Sequence, residues 1–214
     1  MASARPGLLV TTAPVSGSGP SWPGASGATT QYHGGVPKGI EPPSPDLRDL
    51  IRDVPDYPRP GILFRDITPL LGNGPGFRSA CDQLTERFRG AGVEAVATIE
   101  SRGFTFGAVI AYQLGVGVVP VRKAGKLPAD TLSASYALEY GNAVLEIHLD
   151  AITKGQRVLV IDDLLATGGT AVATMDLVTR LHAEVAGFGF LIELLDLGGR
   201  ERLSGHRVEA LLEF

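Results

Sequence analysis

Apolar and polar positions divide the chain into two unlike parts. From residue 46 onward they fall into short blocks with recognisable periods, and before it they do not. Phe77, Cys81, Leu84 and Phe88 recur at helical spacing, and Gly90 and Gly92 end that run. Val93 to Ile99 predicts a buried strand, Gly103 to Leu114 a helix, and Gly117 to Arg122 a second strand. Ala143 to Leu149 alternates as a strand does. Val158-Leu159-Val160-Ile161 is a continuous apolar run, which is how a strand buried on both faces of a parallel sheet looks. A helix is expected from about Thr170 to Glu184, with Val172, Met175, Val178, Leu181 and Val185 on one face. Phe188 to Leu195 and Val208 to Leu212 complete the strands. Strands alternating with helices predict an α/β fold, a doubly wound and mainly parallel sheet with helices on both faces.

The remaining segments are less regular. Asp46 is an N-cap for a short helix, Leu47 to about Val54, and Pro55, Pro58, Pro60 and Gly61 then break regular structure. Ile62 to Ile67 reads as an extended piece and Gly72 to Gly76 as a turn. Lys123 to Tyr140 is polar and weakly periodic, and reads as a long loop or flap.

Composition sharpens the division. The chain has 214 residues, with 28 Gly and 15 Pro. Residues 1–45 hold 8 Pro, 8 Gly and 6 Ser but only three charges, Arg5, Lys38 and Glu41. Such a segment buries too little apolar surface to offset its chain entropy, so it is expected to be a disordered leader. Residues 46–214 are expected to form a single domain with a sizeable core. The only Met besides Met1 is Met175, so no internal Met start is expected to yield a shorter working chain, and a Val or Leu start stays open.

No apolar run approaches the ~18 residues of a membrane span. Leu8-Leu9-Val10 falls short of the ~7–15 residues of a secretory core. One cysteine, Cys81, excludes an intramolecular disulfide framework and a Cys-based zinc site. A net charge of −4 argues against nucleic-acid binding through a broad basic face. A cytoplasmic protein, with neither membrane nor nucleic acid as partner, is the expectation.

The chemistry concentrates in Val158-Leu159-Val160-Ile161-Asp162-Asp163-Leu164-Leu165-Ala166-Thr167-Gly168-Gly169-Thr170. This is a buried strand, two acids at its end, a loop of small residues and then a helix. Ligands of open α/β sheets bind at the carboxyl ends of strands. A loop opening a helix turns backbone N–H groups toward an anion, and the helix dipole favours phosphate there. Thr167 and Thr170 add hydroxyls. Two carboxylates beside a phosphate cradle make sense if they face sugar hydroxyls or a metal ion, so a sugar phosphate is the indicated ligand. Neither Asp162-Asp163 nor Gly168-Gly169 would indicate this alone. The pattern is neither a Walker A loop nor a dinucleotide fingerprint.

The string resembles the phosphoribosyl-pyrophosphate (PRPP) motif of the type I phosphoribosyltransferases. Phe64-Arg65-Asp66-Ile67-Thr68-Pro69-Leu70, Glu100-Ser101-Arg102-Gly103-Phe104, Arg122-Lys123 with Lys126-Leu127-Pro128, and Glu139-Tyr140-Gly141 extend the resemblance to the branch acting on adenine. It covers about Leu47 to Leu212. It implies that fold, with a small N-terminal hood and a flap. It implies a purine salvage reaction in which PRPP and adenine give AMP and pyrophosphate. Magnesium is implied as a partner of PRPP, held mainly by substrate oxygens and water, and the family suggests a homodimer.

The resemblance also distributes roles. Ala166, Thr167, Gly168, Gly169 and Thr170 would take the 5′-phosphate, and Asp162 and Asp163 the ribose hydroxyls. Ser101, Arg102, Lys123 and Lys126 would take the pyrophosphate, with both lysines on the flap. A non-proline cis peptide is implied near Glu100–Ser101. Main-chain groups of Leu63 and Arg65 would read the adenine edge, with Phe64 against its face. A 6-oxo purine would leave a buried acceptor unpaired there, at about 1–3 kcal/mol. Glu139, beside Tyr140 on the flap, would handle the proton on the base. Two other readings remain open on the sequence: a type I phosphoribosyltransferase acting on xanthine or orotate, and a non-catalytic sensor of PRPP.

Overall fold

Val158, Leu159, Val160 and Ile161 are all fully buried, at the centre of strand β7 (Arg157–Leu165). The computed structural model describes residues 45–137 and 142–214 of the chain. Around β7 lie β3 (Ala95–Ile99), β4 (Gly117–Lys123), β5 (Thr131–Ala137), β6 (Asn142–His148), β8 (Glu184–Glu193) and β9 (Val208–Glu213). Their order in the sheet is β5-β6-β4-β3-β7-β8-β9. The five strands from β4 to β9 run parallel, and β6 and β5 close the other edge antiparallel. This is the doubly wound, mainly parallel sheet expected.

Alternation along β7 feeds two cores. Val158 and Val160 pack on one face with Leu177 and Val178 of α4 (Gly169–Arg180). Leu159 and Ile161 pack on the other with Leu84 and Phe88 of α2 (Gly74–Phe88) and Phe106 and Ile110 of α3 (Gly103–Leu114). Cys81 belongs to this second core, and burial raises its thiol pKa to about 12, so it packs rather than reacts.

Several local expectations are corrected. Asp46 does cap, accepting from the Arg48 amide at 2.9 Å, but only a 3-10 turn, Leu47–Leu50, follows. The chain then extends as β1 (Arg52–Pro55), paired antiparallel with β2 (Leu63–Asp66). Cross-strand pairing, with Arg52 opposite Asp66, outweighs the weak helical preference. The supposed turn at Gly72–Gly76 is a junction between α1 (Thr68–Gly72) and α2, where the Asn73 side chain caps Gly76. The long loop from Lys123 contains β5, a full partner of β6. Helix α4 stops at Arg180 rather than Glu184. His182 takes a left-handed φ of 61°, and Glu184 and Val185 already belong to β8 opposite Arg157 and Val158.

Candidate active site

The acid pair lies inside β7 rather than beyond it, and both carboxylates are buried. Asp162 Oδ1 accepts from the Asp163 amide at 2.9 Å. Burial first, then the neighbouring Asp163, pushes the Asp162 carboxyl well above the usual carboxylate range. Asp163 turns to Arg102, whose Nε donates to its Oδ2. Gly103 lets the start of α3 lie against Asp162. A Cβ on it would sit 2.8 Å from Asp162 Oδ1 and 3.0 Å from the Ile161 carbonyl.

After β7 the chain turns through Ala166, Thr167 and Gly168 into α4. Gly168 has φ +78°, which suits glycine. The first bond of the helix runs from the Val172 amide to the Gly168 carbonyl, so the amides before it precede any intrahelical acceptor. A second loop backs this one. A Cβ on Gly199 would meet the Ala166 carbonyl at 2.2 Å and the Gly168 nitrogen at 3.0 Å. Arg202 Nη1 donates to the Thr167 carbonyl at 3.1 Å. Arg200 holds the buried Glu193 with Nε at 2.9 and 3.0 Å from its two oxygens. None of this backing follows from the periodicity or motifs of the sequence. The adjacent Gly198-Gly199 was a visible signal, whereas the Glu193–Arg200 pairing was not.

The Glu100–Ser101 peptide is cis, as the resemblance implies. Glu100 binds the Lys126 ammonium through Oε1, and its Oε2 accepts from the Lys123 amide at 3.1 Å and lies 3.4 Å from Arg122 Nε. The Lys126 bond, outweighing partial burial, holds the Glu100 carboxyl below its ordinary range. Neither lysine belongs to the β5–β6 hairpin. Lys123 ends β4 with an exposed side chain, and Lys126 lies in the turn that follows. Ser101 is exposed beside Arg102.

The β1–β2 hairpin forms the hood. Val54, Tyr57, Phe64, Asp66 and Arg102 line a cleft of about 330 Å³. Tyr57 meets Phe64 edge to face at 5.2 Å, and the Arg102 guanidinium lies 5.5 Å from the Phe64 ring centre. Asp66 accepts from the Thr68 amide at 2.9 Å and from Arg52 Nε at 3.0 Å, which holds its carboxyl below the usual range. Leu63 is half exposed. The Arg65 side chain is bonded to Asp53 and stacked on Phe214. Thus the structure brings together Asp162, Asp163, Arg102 and Phe64. Glu139 and Tyr140 lie outside the described residues.

Comparison with known proteins decides the family. Residues 72–206 match the phosphoribosyl transferase domain. Over 169 residues the chain is 58% identical to the adenine phosphoribosyltransferase of Acaryochloris marina, covering 79% of this chain and 99% of that one. The chain belongs to the adenine phosphoribosyltransferase family. A second family member, from Methylococcus capsulatus, is also 58% identical, over 168 residues, covering 78% of this chain and 98% of that one. Among solved structures of the family, that from Thermoanaerobacter pseudethanolicus superposes with a TM-score of 0.77 at 49% identity, covering 78% of this chain and 98% of that one. The Saccharomyces cerevisiae enzyme, solved with adenine and an imino-altritol bisphosphate, gives 0.73 at 41%, covering 78% and 96%.

Proposed function

We propose that the chain transfers the 5-phosphoribosyl group of PRPP to adenine, releasing AMP and pyrophosphate. The observation that carries this reading is the position of Arg102. Its guanidinium is bonded to Asp163 on the ribose side and stands over Phe64 on the base side. One cation thus borders both substrates at the point where the bond between C1′ and the pyrophosphate oxygen breaks and the bond from N9 forms.

The 5′-phosphate is taken by the Ala166–Thr170 amides and by the Thr167 and Thr170 hydroxyls. Asp162 and Asp163 accept from the ribose hydroxyls and favour positive charge developing on the sugar. Arg102, with Lys123 and Lys126, takes the departing pyrophosphate, for which a guanidinium offers two parallel donors. Lys126 must first leave Glu100. Strand β2 is paired on one side only, and residues two apart in a strand turn their N–H and C=O groups to the same side, which suits Leu63 and Arg65 to reading the purine edge. Glu139 accepts a hydrogen bond from protonated N7 of adenine while N9 attacks. Two carboxylates beside a phosphate cradle fit magnesium carried by PRPP, whose chemistry is to neutralise charge on the pyrophosphate.

The test is to supply PRPP and magnesium with adenine, hypoxanthine, guanine, xanthine or orotate, and to measure pyrophosphate. Adenine is expected to be preferred by about 10-fold or more over the 6-oxo purines. Turnover of xanthine or orotate without adenine overturns the reading, as does PRPP binding without turnover.

The proposal extends to a homodimer in the cytoplasm, without a role for residues 1–45. Exposed Tyr112 on α3 and Val118 on the adjoining β4 offer apolar surface for a second copy. Among the described residues no helix is long and apolar enough to cross a membrane. Light scattering at the single-chain mass of 22.4 kDa refutes the dimer, and a large activity loss on deleting residues 1–40 refutes the passive leader.

A further inference from the structure

Phe214 follows the end of β9 and is not among the cleft residues named above, and the reaction gives it no role. Two cations nonetheless lie over its ring. The Arg48 guanidinium lies 4.3 Å from the ring centre and that of Arg65 lies 4.2 Å from it. Each partner is fixed elsewhere as well. Arg48 Nη2 donates to the Glu213 carbonyl at 2.7 Å, and Arg65 is bonded to Asp53 of β1. The Phe214 main chain is pinned in turn: its amide donates to the Glu193 carbonyl at 2.9 Å, and its carbonyl accepts from the Leu195 amide at 2.9 Å.

A two-stranded hairpin is marginal by itself in water. Here β1 and β2 form their own two-stranded sheet, joined by no ladder to the seven-stranded one. Side chains must therefore anchor the hood. Arg65 neighbours Phe64, the residue proposed to stack on the purine, and belongs to the strand whose main chain is proposed to read the base. The stack on Phe214 ties that strand to the end of β9, which is part of the rigid sheet.

We infer that Phe214 is a positioning residue for the purine subsite: its ring, contacted by the guanidinium groups of both Arg48 and Arg65, holds β2 against the sheet. The inference rests on the proposal that the hood receives adenine. Two cations over one aromatic face, if half their worth reaches the base, change its affinity by about 2- to 30-fold.

The experiment compares Phe214→Leu, which keeps apolar volume but loses the ring face, with Phe214→Tyr, which keeps the face. In Phe214→Leu, KM for adenine is expected to rise about 2- to 30-fold, with KM for PRPP near wild type. Phe214→Tyr is expected to restore the adenine KM. Amide hydrogen exchange of residues 63–66, measured on the substrate-free chain, is expected to quicken in Phe214→Leu and in Arg48→Met, and the double variant to add little beyond either. Exchange that is unchanged in both single variants, or KM values for adenine and PRPP that rise together, overturns the inference. The exchange readout uses no substrate, so it tests the Phe214 contacts even if the base assay on the wild-type chain assigns a base other than adenine. Unchanged exchange in a chain that does use adenine makes the Phe214 contacts alone the failed step.

Discussion

Arg102 Nε donates to Asp163 Oδ2 across the gap between the start of α3 and β7, joining residues 61 apart in sequence. Each is the other's counter-ion, and in the proposed reaction PRPP replaces that pairing, giving hydroxyls to the acid and phosphate to the guanidinium. Arg102→Lys keeps the charge but loses the planar fork. With one charge-assisted hydrogen bond at about 1.5–3 kcal/mol, kcat/KM for PRPP is expected to fall by about 10- to 150-fold. Steady-state kinetics with varied PRPP checks this, and an unchanged value removes Arg102 from the site.

Asp162 predicts a conflict between stability and activity. Its carboxyl is held well above the ordinary range by burial and by Asp163, whereas in the unfolded chain it ionises near ~3.9. Between those two values the folded chain binds more protons, so this group lowers stability as pH rises through that window. Asp162→Asn removes the charge and keeps an oxygen for the Asp163 amide. The variant is expected to melt about 2–6 °C higher at pH 7, with a smaller gain at pH 4, while turnover falls by ~10-fold or more. Calorimetry at both pH values decides it, since a lower melting point at pH 7 contradicts the account.

Gly199 predicts that the phosphate loop depends on its backing. Any Cβ there must displace the Ala166 carbonyl, at 2.2 Å, or the Gly168 nitrogen, at 3.0 Å. Gly199→Ala is expected to lower stability by about 1–3 kcal/mol and to raise KM for PRPP, with KM for adenine near wild type. Denaturant melts beside kinetics on both substrates separate these effects. Equal rises in the two KM values would mean general loosening.

Glu139, outside the described residues, predicts a defect in chemistry rather than in binding. Glu139→Gln is expected to lower kcat by ~10²-fold or more, the scale of one general acid–base group. Single-turnover measurements with saturating PRPP and adenine are the check. Wild-type turnover in the variant removes Glu139 from the mechanism.

What could be read directly along the chain is what is local. Asp162, Asp163 and Ala166–Thr170 are contiguous, so strand, acids, cradle and helix follow one another in sequence as they do in space. Helix α3 was legible in full because Gly103 and Gly115 bound an apolar run. The segment after Asp46 was not legible for the converse reason. Arg52 to Pro55 extends because β2 lies opposite, and that partner is ten or so residues away. Likewise α4 stops at Arg180 because the Glu184 amide is taken by the Gln156 carbonyl at 2.9 Å, a bond that no helical period foretells.

The sequence by itself determined the alternation of strand and helix, the buried run of β7 and the chemistry of its loop, since periodicity and neighbouring side chains act over a few residues. Only the tertiary structure decided that Glu100 occupies Lys126, that Arg102 meets both Asp163 and Phe64, and that Arg48 and Arg65 both lie over Phe214. Each of those contacts joins segments that are distant in the sequence. Their strength comes from charge and aromatic groups meeting in partly dry surroundings, a condition set by packing rather than by position along the chain.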